Sequence, residues 1–223
     1  MSRLTNIILL GSIAFLTTGG VAQPTKIGRT ALPDTGLAGD GRTLRPNAFG
    51  LDFLISNGGF GLGTFFRHEY SDEFSAFAVF SISEAKDDDE FQYFDYYGNS
   101  YTVGKVNRFL IMPLFLGAEK RLFKDEILDN FRPYVNAAAG PAMIYVFPEN
   151  DEYFNAIGRG HPKYTLGACL GAGAYFGSET SNILGVNLRY YFLPYPAGIE
   201  GLRGIPKKQF GGFFITLNFG NAW

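Results

Sequence analysis

The sequence predicts an all-β fold: an eight-stranded antiparallel up-and-down transmembrane β-barrel with short periplasmic turns and long extracellular loops. Three observations predict it: a terminal segment that alternates almost strictly, seven earlier segments of similar character, and connections that differ in length at the two ends. Composition agrees, because 17% of the 223 residues are aromatic and 29 are glycine, a mixture typical of strands and tight turns. Beyond the N-terminal region no apolar run is long enough for a spanning helix, which excludes a helical membrane protein.

The terminal segment gives the clearest alternation. Apolar side chains occupy every second position from Phe213 to Phe219, and Thr216 and Asn218 lie between them. Alternation of this kind is the period of a strand whose two faces meet different solvents. It therefore predicts a last strand that closes a membrane barrel.

Seven earlier segments also alternate and are predicted to be strands. The total of eight is even, as is expected for a single-chain bacterial barrel. The predicted strands are 48–57, 60–70, 74–83, 106–123, 131–146, 164–176, 182–192 and 210–219.

The connections provide an independent check on this order. Short polar segments follow the second, fourth and sixth strands, at 71–73, 124–130 and 177–181. Longer segments follow the third, fifth and seventh strands, at 84–105, 147–163 and 193–209. Short turns at one rim and long loops at the other are typical of outer-membrane barrels, with the long loops outside.

The N-terminus indicates export. Arg3, an apolar stretch from Ile7 to Leu16 and small residues up to Ala22 have the layout of a signal peptide, so residues 1–22 are expected to be cleaved. Residues 23–46 are expected to form an irregular periplasmic segment and residues 47–223 the barrel. This organisation predicts localisation to the bacterial outer membrane. Cys169 is the only cysteine, so a disulfide within the chain is impossible.

One face of the predicted strands is apolar and should contact lipid, while the opposite face carries charges among small residues. These charges should form a plug of ion pairs, because isolated charges in a narrow lumen are penalised. A selectivity filter or proton relay is the functional alternative. The predicted lumen network comprises Asp52, Arg67, Glu69, Glu119, Arg121, Arg132, Asn136, Asn187 and Arg189.

Four residues conflict with this pattern. Pro113 and Pro141 fall inside predicted strands, where each removes a ladder donor, so a bulge or rim position is expected at each. His68 and Lys120 lie at lipid-facing positions of their strands. A charged side chain at such a position is tolerable only near the lipid headgroups.

A loop of carboxylates and aromatics has two interpretations. It can present a cation site or anchor a partner through its rings, or it can be a solvated tip beside a girdle of rings at the headgroup layer. The spacing does not match a known calcium loop. The residues of this candidate loop are Asp87, Asp88, Asp89, Glu90, Tyr93, Tyr96 and Tyr97.

Catalysis has little support in the sequence. The two histidines are His68, on the lipid parity, and His161, in a Gly-His-Pro stretch without a neighbouring serine. A nucleophile, a base and an orienting carboxylate are therefore not indicated. The prediction is no enzyme, no cofactor and no metal site.

Four segments resemble the small outer-membrane β-barrel superfamily typified by OmpA and OmpX, and especially barrels of the Bacteroidota type. They are GTFFRHEYSDEFS at 63–75, IMPLFLGAEKRL at 111–122, RPYVNAAAG at 132–140 and GGFFITLNF at 211–219. The resemblance implies a substrate of the barrel-assembly machinery whose assembly signal ends on an aromatic. The implied signal residues are Phe213, Ile215, Leu217, Phe219 and Trp223, with either Phe219 or Trp223 as the recognised end.

The leading functional hypothesis is a non-enzymatic outer-membrane barrel that acts as a structural or interaction module, with a plugged lumen and outward loops. The alternative is a narrow porin or an accessory subunit of a transport or secretion complex, and a lipid-modifying enzyme is a third. Expected partners are outer-membrane lipids and lipopolysaccharide, the barrel-assembly machinery, and an envelope protein at the loops. The formal net charge of −2 gives no electrostatic basis for nucleic-acid binding.

Overall fold

The computed structural model describes residues 46–86, 90–94, 96–98, 100–124, 126–127, 131–149, 153–176 and 182–223. The predicted signal peptide, nearly all of the predicted segment 23–46 and the carboxylates Asp87, Asp88 and Asp89 lie outside these residues. Within them, no helix combines the length and the apolar character that a transmembrane helix requires.

Eight antiparallel strands close into a barrel, which confirms the predicted fold class. The barrel strands are β1 (Asn47–Ser56), β2 (Gly59–Glu69), β3 (Phe74–Ala85), β6 (Asn107–Arg121), β7 (Phe131–Pro148), β8 (His161–Phe176), β9 (Asn182–Phe192) and β12 (Gly212–Ala222). Around the barrel the order is β1, β12, β9, β8, β7, β6, β3 and β2, so the first and last strands pair with each other.

The three long connections contain regular structure that the sequence pattern did not reveal. Two of them fold into hairpins, and the third carries a short helix. These elements are β4 (Gln92–Phe94), β5 (Ser100–Thr102), α1 (Tyr153–Ile157), β10 (Pro194–Leu202) and β11 (Ile205–Gln209). The segment 193–209 was predicted to be a loop, and this was wrong, since most of it forms the hairpin of β10 and β11. Register shifts and prolines interrupt the alternation of these two strands, so the sequence pattern did not indicate them.

The strands are tilted, as their register shows. Starting at Glu69 on β2, one can step from each residue to its paired residue on the next strand until the path has gone once around the barrel. The path returns to β2 at Gly59, which is the other end of the same strand. A closed sheet with such a stagger has strands inclined to its axis. Tilt brings side chains from distant positions along their strands to one height in the lumen.

The two faces of each strand match the predicted parity. In β12, Asn218 is 2% exposed and faces inward, while Phe219 is 45% exposed and faces outward. In β9, Asn187 and Arg189 are buried between the exposed Leu188 and Tyr190. The outer surface is therefore mostly apolar and the interior carries the polar groups, the reverse of a water-soluble barrel.

The expectation of a bulge or a rim position at each of the two prolines was wrong, because both lie well inside their strands. Pro113 stays in register with Ala142, and Pro141 stays in register with Leu166. The pairing of β6 with β3 is interrupted where Pro113 faces Ser81, and the pairing of β7 with β6 is interrupted where Pro141 faces Leu114. In both places the pairing resumes in the same register. A proline lacks one donor, and the well-paired flanks hold the register across that gap.

The last strand is longer than its alternation predicted. Asn221 pairs with Phe49 in β1, and the backbone of Trp223 exchanges hydrogen bonds with Asn47 at 2.9 and 3.3 Å. The Trp223 ring lies 6.5 Å from that of Phe66 on β2. The end of the chain is thus fastened across the seam that closes the barrel.

Candidate functional site

Two clusters of polar side chains fill the half of the lumen nearer the short turns. In the first cluster, Arg67 lies 3.1 Å from a Glu69 oxygen and 3.7 Å from a Glu119 oxygen. The Tyr175 hydroxyl donates to Glu119 at 3.2 Å, and the Arg67 guanidinium lies 4.3 Å from the centre of the Tyr175 ring. Tyr134 stacks on Tyr175 with ring centres 4.5 Å apart.

The second cluster is centred on Asp52. Its carboxylate accepts a hydrogen bond of 2.5 Å from the Asn218 amide and lies 3.9 Å from the Arg189 guanidinium. Asn187 donates to Asn218 at 3.0 Å, which extends the chain of contacts to β9. Each buried arginine thus faces a buried carboxylate, as the cost of burying charge requires.

Contacts in both clusters span the full width of the barrel. Arg67 on β2 reaches Tyr175 on β8, four strands away around the ring. Arg189 on β9 lies 5.3 Å from the ring of Phe77 on β3, which is also the opposite strand. Side chains that touch across the whole diameter leave little room for a continuous pore at this height.

Lumen glycines make room for these large side chains. A Cβ at Gly173 would lie 2.4 Å from the Asn187 Cβ and 2.8 Å from the Tyr134 ring. A Cβ at Gly171 would lie 2.7 Å from the Arg189 side chain. The glycines of β8 therefore leave the space that large side chains from the neighbouring strands β7 and β9 occupy.

Other predicted network residues have less central positions. Asn136 is buried on β7, and it lies 2.9 Å from where a Cβ of Gly171 would be. Arg121 ends β6 and Arg132 lies near the start of β7, and both are half-buried at the short-turn rim. They line the entrance to the clusters rather than their centre.

Two tyrosines of the site, Tyr134 and Tyr175, were not among the predicted lumen residues. Tyr134 shares the inward parity of Arg132 and Asn136, and Tyr175 shares that of Gly171 and Gly173. Parity alone could have placed both in the lumen. They were passed over because an aromatic residue in a barrel strand is usually assigned to the interfacial belt.

Apolar side chains fill the other half of the lumen. The ring centres of Phe115 and Tyr191 are 5.3 Å apart, and those of Tyr191 and Phe214 are 4.6 Å apart. Closer to the long connections, Phe109 and Phe210 lie 5.0 Å apart, edge to face. All five are buried, so the interior has a polar half and an aromatic half.

A ladder of ion pairs joins two of the long connections where they meet the ends of β6 and β7. Lys105 lies 2.9 Å from Glu90 and 4.0 Å from Glu149, and Arg108 pairs with Glu149. The Glu90 side chain is only 5% exposed. The predicted solvated tip therefore does not extend to Glu90. Lys105, which pairs with Glu90, links this connection to Glu149 just after β7.

The tyrosines of this loop are directed to solvent. Tyr96 is 98% exposed, and Tyr93 and Tyr97 are also exposed. The rings of Tyr96 and Tyr97 meet edge to face at 5.7 Å.

The histidines and the cysteine lie apart from one another. His68 contacts the Asn47 side chain at 2.8 Å, His161 is exposed at the start of β8, and Cys169 is buried in the lumen. Among the described residues, no three His, Cys, Asp or Glu side chains are grouped so as to hold a metal ion.

The fold and its interior define a class of protein: a closed eight-stranded antiparallel β-barrel with an apolar outer face and a lumen filled by side chains. No protein-family model matches the chain, and no curated protein matches it in sequence.

Solved structures similar to the chain are small barrels. One is the N-terminal β-barrel domain of Pseudomonas aeruginosa OprF, at 14% identity and a TM-score of 0.46, covering 79% of this chain and 96% of that one. Another is Neisserial surface protein A, at 8% identity and a TM-score of 0.48, covering 79% and 95%. A third is Ail of Yersinia pestis, at 12% identity and a TM-score of 0.39, covering 79% and 94%. Similarity at this level assigns no function. The barrel architecture is established by the strand pairing of the protein itself.

Proposed function

We propose that the protein is a non-enzymatic barrel of the bacterial outer membrane that acts as a structural or interaction module, closed to bulk solute flow. The observation that carries this proposal is the contrast between the apolar outer face and the polar inner face of the barrel. Leu51, Leu116, Leu170 and Leu188 are each between 49% and 67% exposed on different strands, while Asp52 and Arg189 are almost completely buried. Only hydrocarbon outside the barrel makes that distribution favourable all the way round.

The packing of the lumen favours a closed barrel over a narrow porin or transport accessory. Arg67 reaches Tyr175 across the barrel, and Phe115 and Phe214 both pack against Tyr191 in the other half of the lumen. Such filling is expected for eight strands.

The long connections are the parts of the protein that we propose to face outward and to meet a partner. The exposed rings of Tyr96 and Tyr97 are suited to anchoring a protein or a lipopolysaccharide surface. During biogenesis, the outward aromatics Phe213, Phe219 and Trp223 of the last strand would be presented to the barrel-assembly machinery.

Reconstitution tests both parts of this proposal. The protein should enter lipid vesicles, migrate as a heat-modifiable folded band, and give no reproducible single-channel steps in planar bilayers. Steps that disappear on changing Glu119→Gln or Arg121→Gln would instead establish the narrow porin.

Two further experiments address the partner and the enzyme hypothesis. Pull-down from intact outer membranes should lose an envelope partner when residues 87–97 are deleted. A changed lipid profile in His161→Ala cells would favour the lipid-modifying enzyme.

A further inference from the structure

A groove crosses the outer face of the barrel near the short-turn rim. Its floor consists of small side chains, because Ala118 on β6 pairs with Ala137 on β7. The walls are the larger side chains of Phe74, Val135 and Leu170, and the groove encloses about 380 Å³. Leu116, the next outward residue along β6, is larger and 64% exposed, so the alanine floor is a depression in the outer apolar surface.

The groove has a charge at the end nearer the rim. Lys120 lies beside the Ala118 floor, and its ammonium is 5.4 Å from the centre of the Phe74 ring. Within the part of the chain that the structure describes, no carboxylate forms an ion pair with Lys120. A cation on a lipid-facing surface is costly unless its long side chain reaches the headgroup layer.

We propose that this groove binds one anionic phospholipid of the leaflet on the short-turn side. One acyl chain lies over Ala118 and Ala137, and the phosphate forms an ion pair with Lys120. The proposal rests on the proposed membrane location and deepens it, because it names a preferred lipid and its site.

Charge favours a lipid over a second copy of the chain as occupant. A symmetric dimer would place the same patch against itself and bring two Lys120 ammonium groups together at an apolar interface. Like charges opposed at an interface are unfavourable, whereas an anionic headgroup neutralises the lysine.

Lipid retention by the intact protein tests the site. The protein is reconstituted in nanodiscs of phosphatidylcholine with a minor fraction of phosphatidylglycerol, and lipids retained after gentle release are measured by native mass spectrometry. Phosphatidylglycerol should be retained preferentially, and Lys120→Gln should reduce this preference roughly fivefold, as loss of about 1 kcal/mol implies. Lys120→Arg should preserve it.

Filling the groove provides a second, independent variant. Ala137→Leu should displace the acyl chain and lower retention of both lipids, while Ala139→Leu, two residues along the same strand and face, should leave retention unchanged. Ala139 does not line the groove. Heat-modifiable migration of every variant shows that it is folded.

The outcomes separate the two proposals. Failure of the wild-type chain to enter bilayers would overturn the membrane location itself. Insertion with equal retention by wild type, Lys120→Gln and Ala137→Leu would overturn the lipid site alone. A dimer that Ala137→Leu dissociates would assign the groove to a second copy instead.

Discussion

At the scale of single residues, the lumen shows how charges are kept in a narrow interior. Arg67 contacts two carboxylates, but Glu119 is 6% exposed at its side chain and Glu69 is 29% exposed. A buried partner cannot be replaced by water, whereas a rim partner can. The two ion pairs of one arginine should therefore differ in their contribution to stability.

Glu119→Gln should lower the free energy of unfolding by about 3 kcal/mol, because it leaves Arg67 without its buried counter-charge. Glu69→Gln, the matched rim variant, should cost about 1 kcal/mol or less. Urea unfolding in lipid vesicles, followed by Trp223 fluorescence, measures both. Equal effects would show that burial does not set the strength of these pairs.

A glycine in the lumen gives a second prediction at this scale. A Cβ at Gly173 would lie 2.6 Å from the Val186 carbonyl oxygen, a backbone atom that cannot turn away. Gly173→Ala should therefore destabilise the barrel by about 1 to 3 kcal/mol through overpacking. Gly158→Ala has only an ordinary contact of 3.5 Å and should stay within about 1 kcal/mol of wild type in the same assay.

At the scale of elements, the hairpin of β10 and β11 is fastened to the barrel strands. The Val106 amide donates to the Gly201 carbonyl at 2.8 Å, and the Asn107 side chain donates to the Glu200 carbonyl at 2.7 Å. Ile199 is 9% exposed and belongs to the core cluster of buried residues. The hairpin is thus part of the fold, even though it lies outside the barrel sheet.

Ile199→Asn should release this hairpin without opening the barrel. Its core contact is lost, so trypsin should cleave after Arg203, Lys207 or Lys208 at least several times faster than in wild type, while heat-modifiable migration stays the same. Ile205→Asn is the control, because Ile205 is 43% exposed at the start of β11. Unchanged cleavage of the Ile199 variant would show that the backbone hydrogen bonds suffice to hold the hairpin.

At the scale of the whole molecule, the apolar belt sets how a bilayer would surround the barrel. Leu188 lies near the middle of β9, and Leu184 lies on the same face near its short-turn end. The two side chains are 49% and 46% exposed, so they differ in their position along the strand and hardly in solvent accessibility. They make a matched pair for measuring depth in the membrane.

Leu188→Lys should cost about 2 to 4 kcal/mol in lipid vesicles, as a cation at the midplane does, and Leu184→Lys about 1 kcal/mol or less. Vesicle unfolding midpoints compare the two variants. An equal and small cost at both positions would contradict a membrane-spanning barrel of this orientation.

Sequence alone determined the eight barrel strands and the inward or outward direction of their side chains. Both follow from alternation, which is a local property, since each face of a strand meets one solvent and successive residues point to opposite faces. The inward positions of Asp52, Asn187 and Arg189 were accessible in this way. The hairpin of β10 and β11 was not, because its register shifts break the period.

Tertiary structure decided which of the inward groups meet. Arg67 reaches Glu119 and Tyr175, while Arg189 reaches Asp52 and Phe77. These partners lie far apart in sequence, and they share a height only because the strands tilt as the barrel closes. Tilt and closure depend on all eight strands together, so no single segment of the sequence contains that information.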